Sequence, residues 1–235
     1  MQLVESLVLV ESGDGSKIDG EHIINQIDKV ARKAYSKANK FIVNNAKQNF
    51  LYAKENINEL MLNGHEDILE HFLISVTFVC NLYVTKELMK YRVPLYSQEN
   101  NNSFIIYNDD IVFIIPPWFK TTPIGSYKLE KGELICSKDL DLSKWDFNEG
   151  QWIRAMILAE NTYKNLIAKN WSVEQAISVL PNSLKTDTII SCDIKKWRDI
   201  IKAGISKQAN PHVQYLMLIL LKNLKDNIPL LFDDL

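Results

Sequence analysis

Residues 64–98 read G-H-E-D-I-L-E-H-F-L-I-S-V-T-F-V-C-N-L-Y-V-T-K-E-L-M-K-Y-R-V-P-L-Y-S-Q, and this stretch decides the fold. Its middle, residues 72–80, is rich in Ile, Val, Thr and Phe, the composition of a buried strand. Residues 83–91 then carry helical spacing, and Pro94 with the Asn-rich residues 100–102 marks an irregular loop. Polar clusters close both ends of the buried segment. His65, Glu66, Glu70 and His71 stand before it; Lys90, Tyr91, Arg92, Ser97 and Gln98 stand after it. Burying such groups is costly without partners or a ligand, so a site is expected here.

Working outward, residues 3–10 read as one strand, closed by Asp14-Gly15 and Asp19-Gly20 turns. Ile23, Ile24, Ile27, Val30, Ala31 and Ala34 repeat at helical spacing and predict a helix over residues 23–37. A second helix is expected over residues 41–62, with Asn63-Gly64 as its cap. Residues 103–107 and 111–115 flank Asn108-Asp109, a hairpin signal. Residues 134–137 and 188–191 are short strand candidates. Helices are expected over residues 146–169, 173–179 (stopped before Pro181), 194–203 and 213–227. The order is mixed α+β, with strands mostly in the first half. A length of 235 residues suits a single domain over 1–235.

Composition narrows the function classes. A hydrophobic content of 46% with 24% charged residues is that of a globular protein with a sizeable core. A net charge of −2 gives no broad pull on nucleic acid or an anionic membrane, though a local basic pocket is compatible with it. Cys80, Cys136 and Cys192 are odd in number and sparse, which argues against a disulfide framework and for a reducing, cytoplasmic setting. The first residues lack the basic-then-apolar order of a signal peptide, and the apolar residues 216–221 are far too few to span a bilayer. No metal site is expected: H-E-x-x-H needs a second His where Leu69 stands, and His65 and His71 would face different sides of a helix. No Gly-rich dinucleotide or P-loop fingerprint occurs.

The pattern G-H-E-x-x-x-E-H, then a strand, a helix and a basic triplet, resembles the flavin-dependent thymidylate synthases. Ala31-Arg32-Lys33-Ala34-Tyr35 is similar to that family's first-helix A-R-x-x-Y segment. Phe113-Ile114-Ile115-Pro116-Pro117 is similar to its mid-chain strand end, and residues 174–181, E-Q-A-I-S-V-L-P, to its E-x-A-R-x-x-L-P turn. The C-terminal helix ending I-P-L-L-F at residues 228–232 is also similar. The chain departs from the family at several positions. Lys90 and Tyr91 replace the first two residues of an Arg-His-Arg triplet, keeping Arg92. Asn100 and Asn102 stand for a Ser and an Arg, Ile177 for the Arg before L-P, and Gly204 for a later Arg. Those arginines mostly hold the phosphate and base of deoxyuridylate in the family, and Arg grips phosphate with a planar fork that Lys only partly reproduces.

The resemblance implies an α/β fold with a central, mostly antiparallel sheet flanked by long helices, assembled as a homotetramer. It implies FAD as cofactor, a reduced nicotinamide (NADPH-type) donor, methylenetetrahydrofolate, and a pyrimidine deoxynucleotide substrate. His65, Lys90 and Arg92 would bind flavin; Lys90, Gln98 and Asn100 would lie near the nucleotide. Each residue also has a plainer reading. Glu66 and Asp67 suit a helix start, Lys90 and Arg92 suit a helix C-terminus, and an Asn-rich loop is ordinarily solvated. Trp197-Arg198 reads as packing, and Asp193, Lys195 and Asp199 as an exposed helix start. Glu87, where the family often has Gln, would accept from an amino group and repel a phosphate. Three functions therefore stay open: a synthase, a flavin enzyme acting on a different pyrimidine nucleotide, and a non-catalytic scaffold that keeps the fold.

Overall fold

Local signals set most element boundaries. Strands β1 (Gln2–Val4) and β2 (Leu7–Ser12) come first, then helix α1 (Gly20–Ala34), whose Asp19 cap accepts the His22 backbone N–H at 3.1 Å. Helix α2 (Ala46–Leu62) ends at Gly64, whose φ of +79° is the left-handed cap that glycine adopts without steric cost. A 3-10 helix (Glu66–His71) leads into β3 (Leu73–Asn81), and Asn81 caps α3 (Leu82–Met89) through the Val84 N–H. Then follow β4 (Leu95–Gln98), β5 (Val112–Ile114), β6 (Gly125–Glu130), β7 (Glu133–Cys136) and α4 (Phe147–Ala168). The chain closes with α5 (Val173–Ala176), β8 (Lys185–Asp193), α6 (Ile194–Gly204), α7 (Pro211–Asn227) and α8 (Pro229–Phe232). These elements come from a computed structural model, which describes residues 1–12, 18–35, 46–98, 110–137 and 146–235.

The mixed α/β class holds, with the strands in two four-stranded sheets ordered β5-β1-β6-β7 and β2-β3-β8-β4. The single strand expected over residues 3–10 is two, one in each sheet, because the chain breaks at Glu5-Ser6. Residues 95–98, expected to be irregular, form β4. Residues 125–130 form β6, and β6 and β7 make an antiparallel hairpin through Lys131 (φ 52°) and Gly132 (φ 85°). Two successive positive φ values are those of a type I′ turn. Strand β5 pairs in parallel with β1; the first half of the hairpin expected around Asn108-Asp109 lies outside the described residues, as do residues 36–45 at the edges of two expected helices. The helix expected over residues 173–179 is α5 followed by a 3-10 turn (Ile177–Val179).

The chain divides into two compact units. The first comprises Met1–Leu7, Phe78–Lys90 and Ser97–Thr188; the second comprises Val8–Thr77, Tyr91–Tyr96 and Ile189–Leu235. In the first, Leu3, Phe113, Tyr127 and Leu184 pack with Ile153, Met156, Ile157 and Tyr163 of α4, whose spacing puts them on one helical face. Two buried carboxylates stand beside this core. Glu160 pairs with the Met1 amino group at 2.8 Å and with Lys164 at 3.0 Å, and it accepts the Ile111 N–H. Glu149 accepts from the Lys120 and Thr121 N–H groups and from the Thr121 and Thr122 hydroxyls.

In the second unit, α1 contributes Ile23, Ile24, Ile27 and Ala31, and α6 and α7 contribute Trp197, Ile201, Leu216 and Leu220 to the interior. The Trp197 indole N–H donates to the Ile74 carbonyl at 2.9 Å. Buried Asp28 ties α1 to α2, accepting from Arg32 at 2.6 Å and from Asn56 at 2.7 Å.

Candidate functional site

The polar end of the decisive stretch is the 3-10 helix of the second unit. Gly64 turns the chain out of α2, and His65 follows as an exposed cap residue. Its imidazole lies against the Tyr35 ring, centroids 4.7 Å apart. The Tyr35 hydroxyl donates to both carboxylate oxygens of Asp67, at 2.7 and 2.9 Å. That bond raises the Tyr35 phenol above its ordinary value and holds the Asp67 carboxyl below its own. The end of the A-R-x-x-Y segment is thus joined to the G-H-E-D turn. One turn on, Glu70 accepts from Lys195 at 2.5 Å, which raises the lysine. His71 and Phe72 line a cavity of about 240 Å³ with His22, Gln26, Ile27 and Val30.

Glu66 points toward Arg198, 3.7 Å away. Arg198 is only 2% exposed; it donates to the Leu231 carbonyl and forks onto Asp234 at 2.7 and 2.5 Å. This is the bidentate geometry for which guanidinium suits carboxylate, and it lowers the Asp234 carboxyl. Trp197 and Arg198 are both interior, in line with their reading as packing residues. Asp193 is the α6 cap, accepting from the Lys196 N–H at 2.7 Å.

The residues after the buried strand divide between the units. Arg92 belongs to the second; it is exposed, with φ at +51°, a left-handed conformation uncommon for a residue with a side chain. Such conformations cluster where function holds them. Lys90 and Gln98 belong to the first. Lys90 is exposed and pairs with Glu87 at 2.6 Å, one turn back on α3. Gln98 donates to Thr186 on β8 at 3.3 Å. Asn100 lies outside the described residues.

Sequence reading overlooked Tyr35 and Arg198 as partners of the motif. The signal for Tyr35 was the A-R-x-x-Y segment itself; Arg198 had none beyond a cation in an amphipathic helix. Gly204, where the family carries an arginine, faces Met217: an added Cβ would lie 2.4 Å from its Cγ. A side chain there requires Met217 to shift, so this departure is built into the α6–α7 contact. Cys80 and Cys192 are buried free thiols, and burial pushes Cys80 up to about 12, so it is protonated and unreactive at neutral pH. Among the described residues no group of three or more His, Cys, Asp or Glu is placed to hold a metal ion, and no helix is long and apolar enough to cross a membrane.

The chain is 25% identical over 180 residues to the flavin-dependent thymidylate synthase of Mycobacteroides abscessus, covering 73% of this chain and 65% of that one. It is 22% identical over 149 residues to the enzyme of the same name from Pyrococcus furiosus, covering 62% of this chain and 52% of that one. The match therefore spans between about half and two thirds of these relatives' lengths. Among solved structures, a UMP/dUMP methylase, PolB from Streptomyces cacaoi, bound with 5-Br dUMP, superposes with a TM-score of 0.67 at 14% identity, over 99% of this chain and 96% of that one. That likeness concerns the fold. The model of one family, described as thymidylate synthase complementing protein, matches residues 19–230. With nearly all of its length accounted for in this way, the chain belongs to the thymidylate synthase complementing protein family.

Proposed function

We propose that this protein is a flavin-dependent thymidylate synthase, converting deoxyuridylate to thymidylate with methylenetetrahydrofolate and a reduced nicotinamide. The family match over residues 19–230 carries this reading. The names of the relatives support the flavin, and the folded likeness to a methylase of uracil nucleotides is compatible with a pyrimidine nucleotide substrate. The proposal extends to one functional domain over 1–235, since the family match runs through segments of both compact units. It also includes a cytoplasmic homotetramer with FAD as the flavin.

The residues present suit a flavin in chemistry. An isoalloxazine needs a flat surface, and the exposed His65 ring, braced by Tyr35, offers one. Flavin phosphates need cations, and Arg92 presents an exposed guanidinium on a constrained backbone. His65, Arg92 and Lys90 would hold the cofactor; Lys90, Gln98 and Asn100 would lie near the nucleotide. The flavin, when bound, supplies the reducing equivalents, and the protein supplies orientation and electrostatics. Within the chain, the Tyr35–Asp67 bond fixes the turn that carries His65, and the Lys195–Glu70 pair fixes its far end.

The test is the visible absorption spectrum of the purified protein, taken again after addition of FAD and removal of the excess. A retained flavin band is expected, bleached by NADPH in the presence of deoxyuridylate. A folded protein that keeps no flavin overturns the proposal.

A further inference from the structure

Several arginines of the family are replaced in this chain, and the hydrogen bonds of the first unit single out one lysine as a source of charge for a nucleotide phosphate. Residues 182–184 are joined to the start of α3: the Leu82 N–H donates to the Leu184 carbonyl at 3.2 Å and the Tyr83 N–H to the Asn182 carbonyl at 3.3 Å. One turn on, the Lys86 ammonium donates to the Asn182 side-chain oxygen at 3.0 Å. Three bonds therefore fix the lysine-bearing face of α3 against this segment, and Lys86 projects from it into solvent.

Neighbouring lysines are neutralised. Lys90 is offset by Glu87 at 2.6 Å and Lys185 by Asp187 at 2.7 Å. Lys86 is held by a neutral amide, its one partner among the described residues, and no carboxylate among them offsets its charge. An ammonium has three donors, and two remain for phosphate oxygens. Holding the side chain in advance also lessens the entropy lost when an anion binds.

The same segment reaches Gln98. Thr186, four residues beyond Asn182, accepts from the Gln98 amide. Four residues span no more than about 14 Å, within reach of one mononucleotide with its phosphate at Lys86 and its base edge at Gln98. We infer that Lys86, positioned by Asn182, binds the 5′-phosphate of a pyrimidine nucleotide in place of the family's arginines. This rests on the nucleotide reading proposed above.

The experiment measures binding of deoxyuridylate and of deoxyuridine to the FAD-loaded protein by calorimetry, in the unaltered protein and in Lys86→Met and Lys86→Arg. The unaltered protein is expected to prefer the nucleotide. Lys86→Met should weaken deoxyuridylate about tenfold or more, the worth of a charge-assisted contact, and leave deoxyuridine unchanged; Lys86→Arg should restore the preference. Lys86 is exposed, and retained flavin reports that the variants fold. If Lys86→Met keeps the nucleotide-to-nucleoside ratio, or if the unaltered protein shows no such preference, the inference fails while the proposed function stands. A flavin-loaded protein that binds neither compound overturns both.

Discussion

Glu149 and Asp67 each accept a hydroxyl hydrogen from a neighbouring segment, yet they belong to different kinds of structure. Glu149 is 6% exposed and takes hydrogen bonds from two backbone N–H groups and two hydroxyls of residues 120–122. Burial pushes its carboxyl up, and those bonds more than reverse the effect. Asp67 lies at the surface with one phenol as its hydroxyl donor, on a turn that also carries an exposed imidazole. A buried polar group must be fully satisfied, and its removal orphans its partners. An exposed one can lose a partner to water at little cost, which leaves it available to a ligand. The contrast separates charged residues that hold this fold from those open to function.

The sharpest way to break that contrast is Glu149→Ala. It strands two N–H groups and two hydroxyls at once, and a loss of about 4 kcal/mol is expected in chemical denaturation. A loss no larger than that of Asp67→Asn would erase the distinction. Next comes the buried His212, 3% exposed, whose imidazole is pushed down to about 4 by burial. The unfolded chain takes up that proton near pH 6.5 and the folded one only near 4. Stability is therefore full above about pH 6.5 and falls by about 3 kcal/mol as the pH drops to 4. His212→Leu should flatten this limb of the stability–pH curve; an unchanged curve would mean another group sets it. Gly204→Ala follows, with a cost of about 2 kcal/mol from overpacking against Met217. If the variant is as stable as the parent, Met217 yields freely and the missing arginine has no steric cause.

These positions also show how far the sequence could be read. Helices α4 and α7 were legible because their apolar residues repeat over many turns. Strands were harder. Three-residue β1 and six-residue β2 are separated only by Glu5-Ser6 in an otherwise apolar run, and their pairing in separate sheets makes them two strands. Strand β6 alternates weakly, and its Lys-Gly turn lacks the Asn-Gly or Asp-Gly signature that usually marks a type I′ hairpin. At the candidate site His65 was legible from its motif. Its partner Tyr35 lies 30 residues earlier, beyond the reach of any local pattern, and the bond between Tyr35 and Asp67 exists only because α1 packs beside the 3-10 helix. Lys86 was passed over because an exposed lysine on a helix is ordinary until its neighbours are seen to be neutralised.

The smallest expected change in stability belongs to Tyr35→Phe, and it tests the functional side of the contrast. The ring remains to face His65; only the hydroxyl bond to Asp67 is lost. With Asp67 lowered, the bond supports the fold above the ordinary carboxylate range and fades as pH falls through the lowered value. With Tyr35 raised, it fades again as pH rises through the raised phenol value. Neutral pH lies inside both limits, so the bond is intact where flavin is measured. At the surface its loss should leave the melting temperature unchanged within error. Flavin retention should nonetheless fall a few-fold, because the turn that presents His65 is no longer held from the side. A variant that keeps its flavin as tightly as the parent would show that Tyr35 merely rests on the motif, and His65 would then have to be oriented by the turn at Gly64 alone.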